Sequence, residues 1–246
     1  MEKIAIPYGS THLNGVLHKP EKQNAQYTII VSHGFRGSKD GGGRAVDMAQ
    51  ALSEHFNVIR YDFLPLSTIT EQSRQLMAVI EYTNENIGRD IVLYGRSMGA
   101  DASLVTAAEY HSIKGLIFWS MPFDLLETFS LSLGMKNLEQ LKNGVPLQLD
   151  DEWGKAELAP AFYTDLVKYD PVLALNNIPS IPILFVHGEN DEIVPLHQAE
   201  AAFAAAKEPK TLKIVSGGDH RFLYTAKEAQ HAVMYWLKEN FLKKDV

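Results

Sequence analysis

The chain has 246 residues, 46% hydrophobic and 22% charged, the balance of a globular protein able to close an apolar core without staples. It contains no cysteine, which excludes disulfides, a thiolate nucleophile and Cys-based zinc or iron–sulfur centres. A formal net charge of −7 repels phosphate backbones and anionic lipid, so neither nucleic acid nor a membrane is expected as a partner.

The opening residues Met1-Glu2-Lys3-Ile4-Ala5-Ile6-Pro7 lack the regions of a signal peptide, and no apolar run approaches the roughly 20 residues that span a bilayer. A cytoplasmic location is the expectation. Residues 4–6 and 12–18 suggest an antiparallel pair leading into Pro20. Short β-rich runs follow at 28–32, 57–61, 90–94, 115–119, 182–187 and 211–215. They are apolar on both faces, as in Ile29-Ile30-Val31, Ile91-Val92-Leu93 and Leu116-Ile117-Phe118. Such strands belong in a parallel sheet covered by helices on both sides. Helices are expected between them. One covers 44–55, and a second starts at the capping box Thr68-Ile69-Thr70-Glu71 and runs to about Asn86. Others cover 100–109, begin with Pro195 in a first turn, and close the chain over 225–242. The alternation predicts a doubly wound α/β fold in one domain.

Between Met121 and about Leu175 the rhythm breaks. No strand is expected there, and glycine and proline punctuate apolar clusters that include Phe123, Phe129, Trp153 and Phe162. The run has no core of its own and reads as an insertion over the sheet.

Gly95-Arg96-Ser97-Met98-Gly99 carries the chemistry. It fits G-x-S-x-G, follows an expected strand and precedes an expected helix, the context of a nucleophile elbow. The glycines flank a turn too tight for side chains, and the helix amides face a developing oxyanion. A serine needs a base, and the base an orienting carboxylate. Asp191 follows the strand ending at His187, and His220 follows the strand ending at Val215. Both lie on loops at the carboxyl edge of the sheet, where such folds place their sites. Asp124, Glu189 and Asp219 are weaker candidates for the acid; His33, His187, His197 and His231 default to turn or surface roles. Two backbone donors are needed for the oxyanion. Met98, next to the nucleophile, supplies one, and Phe35 in His33-Gly34-Phe35-Arg36-Gly37 the other. The glycine run ending at Gly43 lacks the Gly-Lys-Ser/Thr finish of a phosphate loop and reads as a rim.

On these residues, together with His187-Gly188 and Val194-Pro195, the chain resembles the α/β-hydrolase superfamily over nearly its whole length. It looks closest to small bacterial carboxylesterases, including cinnamoyl/feruloyl esterase-like and monoacylglycerol-lipase-like members. The resemblance implies acyl-ester hydrolysis of a small-molecule substrate through Ser97, Asp191 and His220, with no metal or organic cofactor and with a lid at about 121–175. Phe123, Phe129 and Trp153 are then expected to line an apolar pocket, and Asp150 or Asp151 to reach a ring hydroxyl. Serine at the elbow, where dehalogenases and epoxide hydrolases of this fold carry aspartate, argues against those activities. Tyr61-Asp62-Phe63-Leu64-Pro65-Leu66-Ser67 departs from the glycine-rich stretch many relatives have there. Amide or thioester cleavage, acyl transfer, and ligand binding without turnover remain alternatives.

Overall fold

The computed structural model describes residues 1–21, 24–151 and 153–242. In chain order the elements are β1 (Glu2–Tyr8), β2 (Thr11–His18), β3 (Tyr27–Ser32), α1 (Arg44–Leu52), β4 (Asn57–Tyr61), α2 (Ile69–Asn86), β5 (Asp90–Arg96), α3 (Met98–Glu109) and β6 (Gly115–Trp119). After these come α4 (Leu125–Leu133), α5 (Met135–Lys142), β7 (Leu147–Asp151), β8 (Gly154–Leu158), α6 (Ala161–Leu166) and α7 (Pro171–Asn177). The chain then continues through β9 (Ile183–Gly188), α8 (Leu196–Ala205), β10 (Lys210–Val215) and α9 (Ala226–Phe241). Eight strands form one sheet in the order β1-β2-β4-β3-β5-β6-β9-β10, antiparallel through β2 and parallel from β4 to β10.

Each parallel strand sends alternate residues to opposite faces, as a period of two requires. Ile91, Leu93, Leu116, Phe118, Ile183 and Phe185 join one core with apolar residues of α2, α3 and α8. Val92, Tyr94, Ile117, Trp119, Leu184 and Val186 join another with α1 and α9. This is the α/β-hydrolase fold, and its two buried faces explain the continuous apolar runs. Among the described residues no helix is long and apolar enough to cross a membrane.

Two expectations about local structure need correction. The capping box at α2 is half formed. Thr68 Oγ1 accepts the Glu71 N–H at 3.3 Å, but the Glu71 carboxylate turns to Tyr8 and Arg74 instead of back to the Thr68 amide. Pro195 stands one position before α8, at its N-cap.

The larger correction concerns 121–175, which does contain strands. β7 and β8 form an antiparallel hairpin pairing Leu147 with Leu158 and Asp151 with Gly154. Six of its ten residues are exposed and four are charged, so it lacks the apolar run that reveals a buried strand. This run closes a small core in which Leu125, Phe129, Leu138, Leu141, Leu147, Leu158 and Phe162 pack on Ile69 at the start of α2 and on Met98 and Val105 of α3.

Candidate active site

β5 ends at Arg96 and α3 begins at Met98, leaving one residue for the turn. That residue, Ser97, takes φ 50° and ψ −133°, a conformation L-residues avoid, so the backbone here is strained. The neighbours make room for it. A Cβ on Gly99 would stand 2.4 Å from the His33 carbonyl oxygen, and one on Gly95 would stand 2.4 Å from the Gly99 oxygen. Gly34 is likewise pressed on the serine, since a Cβ there would lie 2.9 Å from Ser97 Cβ. The Ser97 N–H is anchored to the Trp119 carbonyl on the adjacent strand at 2.8 Å.

The structure brings His220 onto Asp191. His220 Nδ1 lies 3.0 Å from Asp191 Oδ1 and 2.9 Å from Oδ2, which places the ring proton on Nδ1 and leaves Nε2 as the acceptor. Asp191 is buried, and its Oδ1 also accepts the N–H groups of Ile193 at 3.0 Å and Val194 at 2.8 Å. Burial alone would push its carboxyl up. The hydrogen bond and charge of His220, the Val194 amide and nearby His187 outweigh burial and hold it below the usual carboxylate range. The loop carrying His220 is held by two further contacts. Its N–H donates to Glu192 Oε2 at 3.1 Å, and its carbonyl accepts Arg96 Nη2 at 3.1 Å. Ser97 and His220 line the same cavity, of about 580 Å³, but among the described residues the Ser97 hydroxyl forms no hydrogen bond.

The loop after β3 brings Phe35 to the same cavity, its ring against Phe129 and Phe162. His33 fixes its course. The Phe63 N–H can only donate, so His33 Nε2 accepts it at 3.0 Å, and the proton on Nδ1 goes to the Gly34 carbonyl at 2.9 Å. Burial lowers the His33 pKa and favours this neutral form. Met98 is the first residue of α3, so its N–H has no place in the helical ladder.

Other candidates divide. Phe129 and Trp153 line the cavity with Leu133 and Leu149, as expected. Phe123 does not; Gln198 Oε1 accepts its N–H at 2.8 Å, and its side chain packs on the sheet core. Asp151 reaches the cavity but is paired with Arg36 Nη1 at 2.7 Å, whereas Asp150 pairs with Lys155 at 3.1 Å. Asp124 caps α4, Asp219 Oδ1 accepts the Leu223 N–H, and Glu189 braces Ser216 and Gly217. His187 donates to the Val194 carbonyl at 2.7 Å behind Asp191, and His197 meets Glu127 on the surface. Sequence reasoning missed Arg96, Glu192 and Arg36. Arg96 sat inside the Gly95–Gly99 motif, where its charge beside Ser97 was the available signal. Arg36 and Glu192 carried none, because their partners lie far along the chain.

A model of the prolyl oligopeptidase family matches residues 70–244. Among curated proteins, the uncharacterized protein YfhR of Escherichia coli O157:H7 is 22% identical over 209 residues, covering 80% of this chain and 64% of that protein. The chain thus spans about 64% of the length of that relative. Among solved structures, Est1E from Butyrivibrio proteoclasticus superposes with a TM-score of 0.81 at 22% identity, over 99% of this chain and 100% of that one. The same protein with ferulic acid bound gives a TM-score of 0.81 over 98% of this chain and 100% of that one, again at 22% identity.

Proposed function

The chain belongs to the prolyl oligopeptidase family, and from that premise we propose that it is a serine hydrolase cleaving carboxylic esters through an acyl-enzyme on Ser97. One observation carries the reading. A serine held at φ 50° on the carboxyl edge of the sheet shares a cavity with a histidine whose far nitrogen is bonded to a buried carboxylate. Ser97 Oγ attacks the acyl carbonyl as His220 Nε2 takes its proton. Asp191 keeps the imidazole in the required tautomer and stabilises the cation that forms. The N–H groups of Phe35 and Met98 receive the oxyanion, each donor contributing about 10²–10³ in rate. The alkoxide leaves with the proton from His220. Water, deprotonated by the same nitrogen, then releases the acid and restores Ser97. Apart from that water, these steps use the chain's own side chains and backbone.

Small or aromatic acyl groups suit the cavity. Phe35, Phe129 and Trp153 supply apolar wall, and Est1E, similar in fold, has been solved with ferulic acid. Residues 121–175 act in this reading as a lid on a single hydrolase domain. The family's name supports a second reading, peptide-bond cleavage by the same groups. Product analysis on matched ester and peptide substrates separates the two.

The test of the core proposal is intact-mass analysis after a fluorophosphonate probe. Wild type gains one probe mass, and Ser97→Ala gains none and loses ester turnover. Turnover surviving in pure Ser97→Ala, or folded wild type that never labels, would refute the mechanism.

A further inference from the structure

Five cations wall the active-site cavity of a chain whose formal charge is −7: Arg36, Lys39, Arg44, Arg96 and Arg221. Arg36 is neutralised on Asp151 at 2.7 Å, and Lys39 on Asp40 at 3.0 Å and Asp62 at 3.4 Å. Arg221 lies over the Trp153 ring, 5.4 Å from its centroid. Arg44 and Arg96 differ. Among the described residues neither has a carboxylate within ion-pair distance. Each spends one bond on a backbone carbonyl, Arg96 on His220 at 3.1 Å and Arg44 on Arg221 at 3.1 Å. Those two carbonyls are consecutive, so the two guanidiniums converge on one short loop beside the nucleophile.

A guanidinium presents five N–H donors, and one bond each leaves most of them for whatever enters the cavity. Burial first, and then the like charges of Arg44 and Arg221, pull the Arg96 pKa below its ordinary value against the opposing influence of Tyr94 and Asp191. Holding two such groups together in a partly buried wall is costly unless an anion arrives to pair with them. The planar fork of arginine matches a carboxylate. Asp151 and Glu192 share the cavity, which favours one negative charge over a phosphate dianion.

We propose that Arg44 and Arg96 form an anion subsite, and that the ester this protein cleaves carries a free carboxylate bound there while Ser97 attacks. This inference rests on the serine-hydrolase reading and narrows its substrate class. Arg96 directly precedes Ser97, so the bound carboxylate sits close to the scissile bond.

Two matched substrate pairs test it. 4-Nitrophenyl hydrogen succinate against 4-nitrophenyl levulinate places the charge on the acyl side. 3-Acetoxybenzoate against 3-acetoxybenzamide places it on the leaving group. Wild type should favour the anionic member of at least one pair by about 10- to 100-fold in kcat/KM, the range of a charge-assisted pair. Arg44→Gln should cut that ratio at least tenfold. The wild-type ratios require no variant to fold. Ratios near one in both pairs, in protein whose Ser97 labels, would overturn the subsite and leave the hydrolase reading standing. If Ser97 does not label and no ester turns over, the hydrolase reading fails and succinate calorimetry judges the subsite alone. Tighter binding to wild type than to Arg44→Gln then sustains it, and equal or absent binding ends it.

Discussion

The carboxyl edge of the parallel sheet and the run 121–175 both wall the cavity, but they are held in different ways. At the sheet edge, backbone meets backbone. Gly99 and Gly95 sit where a single added carbon would strike main-chain atoms, and Ser97 is forced into its strained turn between them. The run 121–175 is held by side chains reaching across long stretches of sequence. Gln198 on α8 accepts from the amides of Phe123 and Asp124 and from the Thr128 hydroxyl. Asp165 accepts from the Thr70 amide and hydroxyl at the start of α2, and Arg36 ties down the β7–β8 hairpin. Backbone contact tolerates no substitution, whereas a side-chain strap can be cut one strand at a time. Ser97 lies in the first kind of structure, and Phe129, Leu133, Leu149 and Trp153 of the cavity wall in the second.

The largest test of that contrast is a pair of glycines. Gly99→Ala places a Cβ 2.4 Å from the His33 oxygen and 2.6 Å from the Ser32 oxygen, neither of which can move without breaking the elbow. It should cost about 3 kcal/mol or more in urea unfolding and abolish fluorophosphonate labelling. Gly154→Ala in the hairpin meets nothing within 4 Å, and its φ of +95° is the only penalty, about 1–2 kcal/mol. Equal costs would break the comparison.

Next comes the strap with the most partners. Gln198 is buried, and Gln198→Ala leaves three donors of the α4 end facing a void. A loss of about 2–4 kcal/mol in thermal or chemical unfolding is expected. A loss under about 0.5 kcal/mol would mean that water replaces the amide and that α4 is held by its apolar face alone.

The same division governs what could be read from sequence. The parallel strands were legible because burial on both faces writes an uninterrupted apolar run, and the elbow because its glycines are obligatory. Asp191 and His220 followed from their places after strands. The hairpin was not legible. Leu147–Asp151 and Gly154–Leu158 are short, charged and largely exposed, and the group that pins them is Arg36, more than a hundred residues away. Phe123 was assigned to the cavity by its aromatic character, yet Gln198 pins its amide and its ring turns to the sheet. No local pattern encodes a bond between residues 123 and 198.

A smaller effect should separate the two regions by pH. In the sheet, His18 on β2 is buried and takes a bond from Arg60 Nε at 3.1 Å. Burial first, and then the Arg60 charge, lower its pKa from 6.5 to about 4. The unfolded chain therefore binds a proton near pH 6.5 that the folded chain refuses until about pH 4. Stability should fall as pH drops through that window. Below it, depressed carboxylates such as Asp191 continue the decline as they are protonated. His18→Gln should flatten the upper part of the curve, as followed by urea midpoints from pH 7.5 to 4. An unchanged slope in His18→Gln would assign the acid sensitivity elsewhere.

The smallest expected effect on stability is the most informative about the cavity. Arg36 follows Phe35 in the loop after β3, and its buried guanidinium grips both strands of the hairpin. Nη1 holds Asp151 Oδ2 at 2.7 Å, and Nη2 holds the Gly154 carbonyl at 2.8 Å. Asp151 is 43% exposed at its side chain, so solvent screens the pair, and Arg36→Met should cost no more than about 1 kcal/mol of stability. The hairpin carries Leu149 and Trp153 into the cavity wall, so loosening it should weaken substrate binding while the elbow, built on backbone contact, keeps its shape. KM for an aromatic ester should rise about fivefold, the equivalent of about 1 kcal/mol, with kcat and the rate of fluorophosphonate labelling nearly unchanged. A fall in labelling rate at constant KM would show the opposite coupling. Arg36 would then be holding the Phe35 amide in the place proposed for the oxyanion, and the strap would belong to the sheet edge rather than to the run 121–175.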